Sequence, residues 1–575
     1  MTLVKFVVIL AVFELCIGIP VDVPAHDLED EDDIHPHVHA RKYQRPDDIS
    51  QKYWNDEAQK ELKEALALEL NTNVAKNVIL FLGDGMSIPT LTAARVYKGQ
   101  QLLQSGEEGN LVFEKFDHVG LSKTYNVNKQ VPDSAGTGTA YLTGVKTNYK
   151  MIGVDARVQY NECKTQVEGT NLYSIIKWAQ DAGKKTGVIT STRITHATPA
   201  ATYAHVANRN WESECNIDEE NKKNCPRLKD IARQLVEDEP GSKINVIMGG
   251  GFQCFDANIT VIPGDPEDPD PNACERQDGR QLWKDWIKNK EKQGVKHAFV
   301  RNKSQLNKVK DDTEFLMALF ANGHIPYEHV KREKHMDLPT LPEMTEKAIK
   351  MLSNPEGFVL LVEGGRIDHA HHDTKAHRAL DETIFLDQAV EHAMHLTKKE
   401  DTLIVVTADH SHTMTINGYP ERGQDILGFA GVADDGLPYT TLMYANGPGS
   451  NYTVAVDDTG VYSSVRLNLT GAPINSWEYT QMSTVPRESE THGGDDVAIY
   501  ASGPMSHLFH NNHEQNYIAH AMAYAACIGA NRDHCKNRHS HSNRAHRKRQ
   551  KSAASKQVVI NIMMLNVIVI TWILL

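Results

Sequence analysis

Short apolar runs that stop at carboxylate or imidazole side chains recur along this chain, and that pattern limits its fold more than any other feature. Phe358-Val359-Leu360-Leu361-Val362 ends at Glu363-Gly364-Gly365. Asn77 to Leu82 ends at Gly83-Asp84-Gly85, and Thr402 to Val406 runs into Thr407-Ala408-Asp409-His410-Ser411-His412. Thr186 to Thr190 is followed by Thr195-His196-Ala197-Thr198; Ile244 to Met248 and Val497 to Tyr500 are further runs of this kind. A run too short for a core helix, apolar throughout and closed by glycine, predicts a strand buried on both faces. Helical periodicity intervenes, as from Lys375 to Met394, where Ala376, Leu380, Ile384 and Val390 lie near one face. Strands alternating with helices predict an α/β fold, a mostly parallel central sheet with helices on both faces.

In such sheets ligands bind beyond the carboxyl ends of the strands. Asp84, His196, Thr198, Glu363, Asp368, His372, Asp409 and His410 all fall there. One Asp after a strand is an ordinary turn residue; this many Asp, Glu and His on one edge predict a metal site. Asp368 and His372, four apart, can face one point. Imidazole mixed with carboxylate, and no Cys, favours zinc. Asp84, Thr198 and Glu363 offer only oxygen, which suits magnesium, and the two oxygens of Asp84 allow it to bridge two ions.

In Pro132-Asp133-Ser134-Ala135-Gly136-Thr137-Gly138-Thr139-Ala140, a Ser precedes small residues able to open a helix. From this segment alone Ser134 reads as an N-cap. Beside a metal pair its hydroxyl becomes a strong nucleophile, with no histidine relay needed. Arg209 follows the His196 loop, and its planar fork can grip two phosphoryl oxygens; alone, it reads as a surface ion-pair residue.

Taken together, FLGDGM (81–86), PDSAGTGTA (132–140), THATPA (195–200), NRNW (208–211), VEGGRIDHAHH (362–372), TADHSH (407–412) and ETHGGDD (490–496) resemble the animal alkaline phosphatases, in order from about Tyr53 to Cys535. The resemblance implies a phosphomonoesterase with two zinc ions and one magnesium per subunit. Asp368, His372 and His492 would hold one zinc; Asp84, Asp409, His410 and the Ser134 oxygen the other; Asp84, Thr198 and Glu363 the magnesium. Ser134 would be phosphorylated in turnover and Arg209 would clamp phosphate. His196, His369 and His412 would stand behind the ligands, with His at the first two being the animal pattern. Residues from about 418 to 490 resemble an inserted crown domain that helps form a homodimer, Tyr419 matching a Tyr that reaches the partner's site. Glu267, Phe320 and Asp337 match ligands of an extra calcium site, but Ala321 stands where a Glu ligand belongs, leaving calcium doubtful. Gly138 stands where Ala is common. Cys163–Cys225 and Cys527–Cys535 match family disulfides; Cys254 and Cys274, flanking a Pro- and Asp-rich insertion, suggest a third and leave Cys215 over.

Residues 1–18 read as a secretory signal, 19–50 as an acidic N-terminal segment, 51–535 as the catalytic domain, and 536–575 as a basic spacer with an anchor-attachment signal. The last part rests on small residues at Ser552-Ala553-Ala554-Ser555 and an apolar tail, Val558 to Leu575, with nothing after it. A tail-anchored helix is the rival, for which the run is barely long enough. The expected location is the outer face of the plasma membrane, through a glycosyl-phosphatidylinositol anchor. Sequons at Asn258, Asn302, Asn451 and Asn468 fit export. Asn55 to Leu70 reads as an amphipathic helix, with Ala58, Leu62, Leu66 and Leu70 four apart. A net charge of −14 gives nucleic acid no electrostatic footprint. A sulfatase needs a formylglycine, and a diesterase usually uses Thr and lacks an equivalent of Arg209. The Ser134–Arg209 pair argues against both, and the intact ligand set argues against an inert docking receptor.

Overall fold

The computed structural model describes residues 50–271, 275–450, 452–456, 459–460, 462–530, 532 and 534–535. The expectations for residues 1–49 and 536–575, Asn451 and Cys274 lie outside the described residues. A ten-stranded sheet runs through the centre. In chain order its strands are β1 (Asn77–Gly83), β2 (His118–Lys123), β3 (Lys185–Arg193), β4 (Val246–Gly250), β5 (His297–Val300), β6 (Phe315–Leu319), β7 (Phe358–Gly364), β8 (Thr402–Ala408), β9 (Val497–Ser502) and β10 (Asn511–Glu514). Across the sheet they lie β10-β2-β9-β8-β1-β7-β3-β4-β6-β5, and β9 alone runs against the others. Gly83 lies opposite both Gly364 and Ala408, so β1, β7 and β8 end level with one another.

Both faces of these strands are buried, which is why they read as unbroken apolar runs. Val78, Leu80, Leu82, Val359 and Leu361 enter one core, and Ile79, Phe81, Leu360 and Val362 the other. The named helices are α1 (Gln51–Leu66), α2 (Ile88–Gln101), α3 (Ser134–Thr143), α4 (Leu341–Leu352), α5 (Arg366–His372), α6 (Ala376–Leu396) and α7 (Tyr517–Ala526). Leu91 of α2, Met344 of α4 and Leu380 of α6 fill the second core, while Leu142 of α3 and Met522 of α7 fill the first.

α1 starts earlier than the apolar spacing suggests, because the Ser50 hydroxyl caps it by accepting from Tyr53 N–H at 3.1 Å. It buries no residue, and Leu62 and Leu66 are 50% and 79% exposed. Between β8 and β9 the chain builds small sheets of its own. Leu442–Gly447 pairs with Met414–Ile416 and Ser483–Pro486; Phe429–Val432 pairs with Pro438–Thr440, and Tyr452–Val456 with Tyr462–Arg466. This excursion is pinned to the main body where Trp477 stacks between His377 and His329, with centroids 3.5 and 4.5 Å away. Beside it Glu478 pairs with Lys375 and Arg378.

Cys163–Cys225 and Cys527–Cys535 are bonded. The expected pairing of Cys254 with Cys274 is overturned: Cys254 is a free thiol, and Cys215, expected to be left over, is disulfide-bonded. Cys254 ends a buried turn, Phe252–Cys254, where its sulfur accepts from the Thr195 hydroxyl at 3.7 Å. Burial there pushes its thiol up to about 12, which keeps it unreactive. Asn258 and Asn468 are exposed and Asn302 is half-buried.

Candidate active site

The level ends of β1, β7 and β8 put Asp84, Glu363 and Asp409 side by side, and none of the three is exposed. α5 leaves the Gly364-Gly365 turn and carries Asp368 and His372 over the same edge. α3 delivers Ser134. Its N-cap is Asp133, whose carboxylate accepts from Ala135 and Gly136 N–H, so Ser134 is the first helical residue rather than the cap. That frees its hydroxyl, which lies 3.4 Å from Asp84 Oδ1 and 3.2 Å from His410 Nε2.

Three histidines are oriented alike. His372 Nδ1 donates to Glu490 O at 2.5 Å, His492 Nδ1 to Pro132 O at 2.8 Å and His410 Nδ1 to Ser411 O at 3.2 Å. A carbonyl only accepts, so each ring carries its proton on Nδ1 and turns the Nε2 lone pair inward. His372 Nε2 and His492 Nε2 face each other at 3.0 Å, and Asp368 lies within 3.4 Å of both. Opposed lone pairs are relieved by a bound cation or by one proton held between the rings. His412 differs, because its nitrogens face carboxylates at Glu490 (2.5 Å) and Asp368 (2.7 Å). Against the pull of burial these push it up to about 10, favouring an imidazolium beside Asp368, although His412 also belongs with Asp368, His372 and His492 to one group able to hold a metal ion.

Among the buried oxygens of the described residues that have no hydrogen-bond partner are Asp84 Oδ2, Thr198 Oγ1 and Glu363 Oε1. They are one atom from each residue of the oxygen-only set. The other Glu363 oxygen accepts from the hydroxyls of Thr190 and Thr192. Burial pushes Glu363 up to about 7. Burial and the charges of Asp409, Asp368 and Glu363 raise Asp84 well above the ordinary carboxylate range. Four carboxylates this close are unfavourable together without cations among them. The donor set therefore fits metal ions of both kinds, imidazole-rich at one end and oxygen-only at the other.

Arg209 is held from two sides. Nη1 pairs with Asp133 Oδ2 at 3.0 Å, and Nη2 lies 3.1 Å from His196 Nε2. His196 packs edge to face against His369 and His324, whose rings are 4.2 Å apart. Burial and the neighbouring guanidiniums hold all three below the usual histidine range, so they are neutral. The sequence reading omits His324, Asp133, Glu490, Thr190 and Thr192. Asp133 and Glu490 stand inside recognised motifs, whereas His324 follows β6 with no local signal. Glu267, expected near calcium, pairs with Arg366, and Asp337 accepts from Ser304 N–H and Oγ–H. A groove of about 840 Å³, lined among others by Tyr97, His377 and Asp425, shares no residue with this centre.

The family model for alkaline phosphatase matches residues 75–528, which span the whole centre. The chain belongs to the alkaline phosphatase family. It is therefore a phosphomonoesterase. An alkaline phosphatase from Gadus morhua is 48% identical over 490 residues, covering 84% of this chain and 98% of that one. The tissue-nonspecific isozyme of Homo sapiens is 47% identical, covering 84% and 90%. A membrane-bound alkaline phosphatase from Bombyx mori is 43% identical, covering 84% and 86%. Among solved structures, alkaline phosphatases from Thermus thermophilus (TM-score 0.54, 23% identity, 79% of this chain and 92% of that one) and the Antarctic bacterium TAB5 (0.53, 22%, 80% and 99%) share the fold.

Proposed function

We propose that this enzyme hydrolyses phosphate monoesters at alkaline pH through a phosphoserine at Ser134, using two zinc ions and one magnesium ion per subunit. The supporting observation is a serine hydroxyl set among inward-facing imidazole lone pairs and unpartnered carboxylate oxygens. Asp368, His372 and His492 would hold one zinc, Asp84, Asp409 and His410 the other, and Asp84, Thr198 and Glu363 the magnesium. Bound there, such ions supply Lewis acidity that favours the deprotonated serine and offsets charge on the phosphoryl group.

The remaining steps belong to the chain itself. Ser134 Oγ forms the new O–P bond as the ester oxygen leaves and takes up a proton. Water then attacks the same phosphorus, releasing phosphate and restoring the hydroxyl. Arg209 grips two phosphoryl oxygens; Asp133 and the neutral His196 fix its fork beforehand, so little side-chain entropy is lost on binding. Replacing Ser134 with Ala should abolish labelling by a phosphate ester at low pH while zinc and magnesium contents stay near normal. Label on another residue would overturn the assignment.

The same reading makes the enzyme an exported homodimer, held on the outer face of the membrane by a lipid anchor. It is supported by the bare apolar side of α1, by Tyr419 at 78% exposure, and by likeness to the membrane-bound enzyme of Bombyx mori.

A further inference from the structure

Lys150 holds a left-handed backbone, with φ at +66°. That conformation is uncommon for a residue with a β-carbon. Its N–H donates to Asp133 Oδ1 at 2.8 Å, and its carbonyl accepts from Arg209 N–H at 3.0 Å. Asp133 caps the helix that starts at Ser134, and Arg209 is the phosphoryl clamp, so the strained residue is tied to both sides of the reaction site. The side chain leaves this tether between two aromatic rings, with Nζ 5.6 Å from the centre of Tyr149 and 5.7 Å from that of Tyr160. Both distances suit a cation–π contact. Because the Lys150 backbone is bonded to both Asp133 and Arg209, its side chain and these rings start beside the Ser134 helix and the clamp, and Tyr160 is 47% exposed. Arg193, Arg209 and Arg366 beside the site are each matched by a carboxylate, at Glu212, Asp133 and Glu267. Lys150 makes no ion pair among the described residues, so its charge is available to solvent and substrate.

We infer that Lys150, walled by Tyr149 and Tyr160, forms a second anion subsite at the mouth of the phosphoryl pocket. It binds a carboxylate or a second phosphoryl group carried on the leaving-group side of the substrate. The inference rests on the phosphomonoesterase reading and adds a preference for esters whose alcohol is itself an anion. The aromatic walls also give a flat leaving group two faces to lie against.

Aryl phosphates of matched shape test this: 4-carbamoylphenyl phosphate, which is neutral at the far end, against its 4-carboxy and 4-phosphono analogues. The expected order of kcat/KM in the intact enzyme is phosphono and carboxy above carbamoyl, the advantage shrinking as salt is raised. Lys150→Asn, chosen because Asn tolerates the left-handed backbone, should lower the carboxy-to-carbamoyl ratio about tenfold, the order expected for one charge-assisted hydrogen bond. Lys150→Arg should restore most of the ratio. A carboxy advantage with no phosphono advantage would assign the subsite to carboxylates, and the reverse to phosphoryl groups. An unchanged ratio in a folded Lys150→Asn enzyme overturns the subsite. So does an equal fall in the Asn and Arg variants, which would trace the effect to the backbone. Should the Asn variant fail to fold, a salt-independent ratio in the intact enzyme overturns it instead. Hydrolysis of none of these esters would count against the phosphomonoesterase reading, whereas hydrolysis of all three without charge preference counts against the subsite alone.

Discussion

His372, His410 and His492 differ from His412 in what their second nitrogen meets, and that difference separates candidate ligands from their supports. A backbone carbonyl on Nδ1 leaves a lone pair for a cation; carboxylates on both nitrogens leave none. Glu490 serves both arrangements. Its carbonyl pins His372, its carboxylate holds His412, and its second oxygen accepts from Thr413 N–H at 2.7 Å. Glu490→Gln keeps the shape but removes the charge that makes His412 an imidazolium. We expect it to weaken zinc retention about ten- to a hundredfold, the usual scale for groups that support ligands, as read by zinc release to a competing chelator. Retention equal to that of the parent enzyme would show that Asp368 needs no such support. Arg209→Ala removes a clamp but no candidate ligand. Phosphate binding should weaken by roughly 1.5–3 kcal/mol, the worth of a lost charge-assisted hydrogen bond, with some turnover remaining. An unchanged inhibition constant for phosphate would show that Arg209 serves only Asp133.

At the scale of elements, what could be read from the chain was whatever burial on two sides imposes. β1, β4, β7 and β8 are largely apolar runs because helices cover both faces; Glu363 stands at the end of β7, Asp84, Asp409 and His410 directly follow β1 and β8, and Thr198 comes from the turn after the more polar β3. β2 and β10 lie at one edge, β2 mixing polar with apolar residues and β10 wholly polar, so they carry no such signal. The reversed direction of β9 is equally silent, since Val497–Ser502 has one composition whichever way it runs. Glu490 and His324 come from turns far along the chain, and only the folded chain brings them to the centre. The Trp477 clamp was likewise invisible, and it predicts a response to acid. Burial, with Arg378 and Arg332 nearby, holds His329 down to about 3, and burial holds His377 down to about 4, against an ordinary 6.5. His377 is neutral in its site, donating from Nδ1 to Asn475 O and accepting from the Tyr97 hydroxyl, each at 2.9 Å. Below 6.5 the unfolded chain binds protons that the folded one does not, so stability should fall as pH drops from 6.5 toward 4. His377→Phe keeps a ring against Trp477 and removes one of the two titrating groups. Its Tm should start lower at neutral pH, by the loss of two hydrogen bonds, yet decline less steeply than the parent's. Parallel Tm curves would remove His377 from the account.

For the whole molecule the open question is how it is held where it works. Among the described residues no helix is long and apolar enough to cross a membrane. The described part therefore needs some other attachment if the enzyme is to stay at a surface, as the name of the Bombyx mori relative says of that protein. Residues 552–575 present an order found in lipid-anchor signals, small residues at Ser552-Ala553-Ala554-Ser555 followed by the apolar stretch Val558 to Leu575. A transamidated anchor and a retained tail helix make opposite demands on Val558 to Leu575: the first removes that segment, the second depends on it. Intact cells expressing the full chain, treated with a phosphatidylinositol-specific phospholipase, should release the phosphatase activity into the medium. Peptide mapping of the released protein should find nothing from Val558 onward. Activity that stays with the cells, together with recovery of the C-terminal peptide, would establish a tail helix instead. The candidate centre, drawn from residues 84–492, would be the same in either case.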